Sequence, residues 1–87
     1  MGDHIVFKIV RTGGQTTYER GIVLEGRIFD YTLSLSKDKD IEREYLRDIE
    51  NAIARGNSHI VLGNGWRIYW QIHSPWNIPE GELPQWQ

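Results

Sequence analysis

The chain is predicted to fold as an α+β domain: an antiparallel sheet of about five strands, in the order β-β-β-α-β-β, with one amphipathic helix packed on one face. Three observations predict this. Several short stretches alternate apolar and polar residues with the period of two that a half-buried strand requires. One stretch changes period, and its apolar residues Ile41, Tyr45, Ile49, Ala52 and Ile53 recur at i, i+4, i+8, i+11 and i+12, the stripe of a surface helix. Glycine-bearing turns fall between the stretches. The 87 residues are enough for one domain and too few for two.

The first strand spans His4 to Val10, with Ile5, Phe7 and Ile9 on one face and His4, Val6, Lys8 and Val10 on the other. Thr12-Gly13-Gly14-Gln15 supplies a turn in which positive φ is accessible. Thr16 to Leu24 forms the second strand, with Tyr18, Ile22 and Leu24 in phase. Glu25-Gly26 makes a tight hairpin turn into a third strand, Arg27 to Leu35. There Phe29, Tyr31, Leu33 and Leu35 share the core face while Asp30, Thr32 and Ser34 face away.

A polar run, Ser36 to Asp40, starts the helix, with Ser36 or Asp38 as the N-cap. Acidic residues in the first turns suit the helix dipole. Leu46 lies beside the apolar stripe, and the opposite face is charged. Opposite charges three apart, Asp40 with Arg43, Glu44 with Arg47 and Arg47 with Glu50, describe a solvated face held by weak pairs. Arg55-Gly56 ends the helix. Ser58 to Gly63 is a short strand, Asn64-Gly65 the strongest hairpin signal in the chain, and Trp66 to His73 the return strand. Its residues Trp66, Ile68, Trp70 and Ile72 point to the core, and Arg67, Tyr69, Gln71 and His73 point away. Residues 1–73 therefore form the domain. Residues 74–87 form an irregular tail that contains all three prolines together with Trp76 and Trp86.

Composition narrows the function. Hydrophobic residues make up 39% and charged residues 25%, as in an ordinary globular protein. Four Trp, four Tyr and two Phe supply large apolar bodies for a small core. The absence of Cys excludes disulfides and thiolate zinc sites. No apolar run approaches the roughly 20 residues of a membrane span, and no signal-peptide or myristoylation pattern opens the chain. A cytoplasmic protein is expected. The net charge of −2 argues against a dedicated duplex-binding domain, which carries a basic excess.

Motifs that name a reaction are missing. His4, His59 and His73 are far apart and lack a third ligand at metal spacing, although neighbouring terminal strands would bring His4 near His73. Gly63-Asn64-Gly65 lacks the third glycine and helix start of a phosphate loop. No enzyme activity, metal or cofactor is expected. The sheet face away from the helix is more informative, because Lys8, Arg67, Tyr69 and His73 give it aromatic and cationic character. Trp76, Ile78, Leu83 and Trp86 are too many large apolar groups for a tail left in water. They must dock on their own sheet, on a second copy, or on a partner.

A non-catalytic protein-binding module is therefore expected, with Lys8, Arg67, Tyr69, His73, Trp76 and Trp86 as its contact residues. In type, though not in any residue motif, it resembles the small inhibitor proteins of phages and mobile elements and the immunity proteins that neutralise toxins. Its partner would be a larger protein or complex, such as a nuclease, blocked by surface occlusion. A homodimer exchanging the tail is a further expected assembly. The alternative is single-stranded nucleic-acid binding through Lys8, Arg11, Arg67 and Tyr69.

Overall fold

The computed structural model describes residues 2–78 and 81–87. Pro79 and Glu80, in the middle of the tail, lie outside the described residues. Five strands and one helix follow in the expected order: β1 (Asp3–Val10), β2 (Thr16–Leu24), β3 (Arg27–Phe29), α1 (Lys39–Ala54), β4 (His59–Val61) and β5 (Arg67–His73). All pairings are antiparallel, in the spatial order β3-β2-β1-β5-β4, so the two longest-range partners, β1 and β5, meet at the centre of one curled sheet. A 3-10 turn, Pro75–Asn77, follows β5. No helix among the described residues is long and apolar enough to cross a membrane.

The alternation read for β1 and β5 is kept. Ile5, Phe7 and Ile9 are fully buried, opposite Ile72, Trp70 and Ile68 of β5. They pack with Ile49 and Ala52 of α1, with Leu33 and Leu35, and with Leu62 at the end of β4. Burying one such side chain contributes roughly 1.5–3 kcal/mol, which explains why a chain of this length can dispense with staples. At the ends of the strip the burial fades: Trp66 is half-buried, and Ile72 and Ile41 are exposed. Trp70 is buried with its indole N–H donating to the carbonyl of Asn57, 3.1 Å away, so its polar end is satisfied.

The two central hairpins share one geometry. Gly14 N–H donates to Arg11 O and Arg11 N–H to Gln15 O; Gly65 N–H donates to Leu62 O and Leu62 N–H to Trp66 O, all at 2.8–2.9 Å. Each is a three-residue loop closed by a glycine with φ near 85° (83° and 85°), a left-handed conformation that a side chain would oppose. Asn64 serves the second loop through its side chain, whose Oδ1 accepts from Trp66 N–H at 3.0 Å.

The third strand departs from expectation. It runs only from Arg27 to Phe29 and not to Leu35. Asp30 has φ 49°, the left-handed region, and inserts one extra residue. Phe29 pairs with Ile22, but the next bond to β2 comes from Thr32, whose N–H donates to Arg20 O at 3.0 Å. One added residue exchanges the faces. Ile28 therefore enters the core, Leu33 and Leu35 regain it beyond the bulge, and Phe29 and Tyr31 are left 45% and 38% exposed instead of buried. Gly21 of β2 lies under this crossing. A Cβ there would stand 3.2 Å from Tyr31 Cβ and 3.4 Å from Ile28 Cγ2 and Phe29 O.

In α1 the N-cap is Asp38. Its Oδ1 accepts from Asp40 N–H at 2.9 Å and Ile41 N–H at 3.4 Å, while Ser36, two residues before the cap, accepts from Asp38 N–H. At the other end Gly56 N–H bonds Ile53 O and Asn57 N–H bonds Ala52 O, the pair of bonds that closes a helix around a left-handed glycine. Of the three expected ion pairs, Asp40–Arg43 forms at 3.6 Å between exposed side chains. The other two are not among the ion pairs of the described residues. Glu50 has a different partner: its Oε2 accepts from the backbone N–H of Ile28 at 2.8 Å. Ile28 faces away from β2's hydrogen-bonding side, so a helix carboxylate caps one edge of the sheet.

Candidate partner-binding surface

The sheet face opposite α1 is built from cross-strand rows. Register places His73, His4, Ile22 and Phe29 in one row, and Gln71, Val6 and Arg20 in the next. The third row is His59, Tyr69, Lys8 and Tyr18, and the fourth Val61, Arg67, Val10 and Thr16. No row contains an Asp or Glu.

The tail crosses this face on the second row. Arg20 Nε donates to Pro84 O at 2.8 Å. Gln71 and Gln87 pair twice, Nε2 to the Gln87 carbonyl at 2.8 Å and Gln87 N–H to Oε1 at 3.0 Å. Pro84 is buried and Val6 beneath it is fully buried, although alternation alone would leave Val6 in water. The strap is thus held by backbone atoms of its own residues and by two long polar side chains of the sheet.

Beside the strap the third row forms a continuous aromatic and cationic band. His59 stacks on Tyr69 with centroids 5.6 Å apart. Lys8 Nζ lies 5.9 Å from the centroids of both Tyr69 and Trp86, and Trp86 leans on Tyr18 at 6.3 Å. Cation–π contacts of this kind contribute roughly 0.5–1 kcal/mol each at exposed sites. They hold the Lys8 ammonium near two aromatic rings. Arg67, in the fourth row, is exposed. Arg11 is committed elsewhere: its Nη1 donates to Thr17 Oγ1 at 2.9 Å, and its guanidinium sits 4.8 Å from the Trp66 ring centroid.

The six residues expected at the contact surface divide accordingly. Lys8, Tyr69 and Trp86 come together, with Arg67 adjoining them. His73 is two rows away, half-buried where the tail covers the sheet. Its Nε2 is buried and meets no hydrogen-bond partner among the described residues, in a cavity of about 340 Å³ bordered by Glu82, Pro84 and Gln87. Trp76 lies beyond the end of β5, in the 3-10 turn, and is 83% exposed. Two participants escaped sequence reasoning, Tyr18 and His59. Both are marked only by register, which sets them opposite Lys8 and Tyr69.

His4 and His73 are indeed register partners. Among the described residues no group of three or more His, Asp or Glu could hold a metal ion. No family model, curated protein or solved structure matches the chain.

Proposed function

We propose that this chain is a non-catalytic protein-binding module, an inhibitor or immunity-type protein that occludes the surface of a larger protein such as a nuclease or defence complex. The observation that carries the reading is Trp76. A tryptophan exposed to 83% on a 3-10 turn is a large apolar surface left in water. Trp is also the residue type most enriched among interface hot spots. The acid-free band of His59, Tyr69, Lys8, Trp86 and Tyr18 supports the same reading, because rings and cations on a rigid sheet make preorganised contact area.

The single-stranded nucleic-acid reading draws on the same band but is weaker. Arg11 is engaged with Thr17 and Trp66, and Tyr69 and Trp86 already pack against neighbours, leaving few free ring faces for bases. Affinity capture from the source cell, with the wild type beside Trp76→Ala and Tyr69→Ala, separates the two. The expected result is one stoichiometric protein that the variants lose. Recovery of nucleic acid alone overturns the proposal.

A further inference from the structure

We propose that the groove between β3 and α1 is a second docking site, which takes an acidic, extended segment of a partner protein carrying an apolar side chain. The inference rests on the reading that the partner is a protein, but concerns a different surface from the sheet band.

The groove encloses about 330 Å³ and is lined by Arg27, Arg43, Arg47, Phe29, Tyr31 and Leu46, with Glu50 at its wall. That volume is at the low end of the ~300–1,000 Å³ of ligand pockets, room for a side chain rather than a folded element. The bulge at Asp30 creates the apolar part, by turning Phe29 and Tyr31 out of the core. Charge is one-sided. Glu50 is the one carboxylate among the described residues of the lining, and its Oε2 is taken by the Ile28 N–H. Arg43 meets Asp40 at 3.6 Å between largely exposed side chains, a contact of little strength. Arg27 and Arg47 form no ion pair among the described residues. Two guanidinium groups of a lining that also carries the exposed rings of Phe29 and Tyr31 thus lack an ion-pair partner among the described residues and the third is weakly paired, and carboxylates satisfy such groups best, in bidentate pairs.

The fit also excludes alternatives. The Glu50 cap removes the outward N–H of Ile28, so the occupant is recognised through side chains and not by extending the sheet. A nucleic-acid strand would bring a phosphate at every nucleotide past Asp40, Glu44 and Asp48, exposed on the same helix. A peptide can space its carboxylates to the arginines alone.

The probe is the peptide acetyl-Glu-Leu-Glu-Phe-Glu-amide, titrated into the full chain at low salt and followed by amide and arginine Nε NMR signals. Saturable shifts at Phe29, Tyr31, Leu46 and the Nε of Arg27 and Arg47 are expected. Replacing Leu and Phe of the peptide by Ser weakens them. The double variant Arg27→Glu/Arg47→Glu weakens binding by about tenfold or more, as loss of two charge-assisted contacts requires; Lys8→Glu, on β1 two strands away from β3, leaves it unchanged. Arg27→Gln/Arg47→Gln stands in if the reversal perturbs folding. The proposal is overturned if the shifts are absent or map to Lys8 and Tyr69. It is equally overturned if an oligothymidylate binds the groove more tightly than the peptide. Because the peptide is a defined probe, failure here leaves the capture experiment standing, and failure of the capture leaves this result standing.

Discussion

Replacing Glu50 by alanine should destabilise the fold far more than its place on a helix surface suggests. Its carboxylate receives the Ile28 amide at 2.8 Å, on β3, the edge strand of the sheet among the described residues. A hydrogen bond to a charged group is worth about 1.5–3 kcal/mol net. Glu50 is half-buried and the freed amide can be partly rehydrated, so the lower half of that range applies. The alanine gains back a few tenths of a kcal/mol, roughly 0.3–0.5, in helix propensity. The net loss is about 1–2 kcal/mol; with a urea slope near 1 kcal/mol/M for so small a chain, the midpoint falls by about 1–2 M. Glu44→Ala, on the exposed face of α1, is the control and should change stability by less than about 0.5 kcal/mol. Amide exchange supplies the second readout: Ile28 should be protected in the wild type and lose that protection in Glu50→Ala. Equal midpoints for the two variants, or an Ile28 amide that exchanges freely in the wild type, would refute the edge cap.

Other outcomes follow from the same geometry. Asp30→Val forces a β-branched residue into the left-handed region and should cost about 1–2 kcal/mol by thermal or urea unfolding, while Asp30→Gly should be neutral or stabilising. Gly21→Ala sets a methyl 3.2 Å from Tyr31 Cβ and should cost about 1–3 kcal/mol, with NMR shifts concentrated at residues 28–32. Removing Pro84 to Gln87 uncovers Val6 and frees Arg20 and Gln71; the expected loss is about 1–3 kcal/mol, together with new binding of an apolar dye. Trp76→Ala should leave stability within about 0.5 kcal/mol of wild type, since the ring is exposed, while weakening partner binding by about 2 kcal/mol or more.

The parts of the fold that sequence made legible are those in which one local rule acts without interruption. β1 and β5 keep their core-facing alternation through the middle of each strand, so the buried faces Ile5-Phe7-Ile9 and Ile68-Trp70 could be read residue by residue. The helix carries its stripe and both of its caps in the sequence. β3 was not legible beyond Phe29, because a single left-handed residue changes which side chains are buried, and Asp30 bears no mark that distinguishes it from an outward strand Asp. Val6 shows a second limit. Its burial depends on a tail held by the Pro84 carbonyl and by the backbone of Gln87, groups that every residue possesses and that leave no pattern. The candidate surface divides the same way. Lys8, Tyr69 and Arg67 follow from alternation within a strand, whereas Tyr18 and His59 follow from register between strands. The arginine groove depends on the bulge and was hidden with it.

The most direct test of the binding account is an oxidative footprint of the chain with and without the protein it captures. Trp76, Tyr69 and Tyr18 are reactive aromatic side chains distributed over the proposed surface, and Tyr45, half-buried against Gly63 on the helix side, is an internal reference. The account predicts strong protection of Trp76 and of the Tyr18–Tyr69 band in the complex, with Tyr45 unchanged. Unaltered oxidation of Trp76 and both band tyrosines in a stoichiometric complex would contradict it.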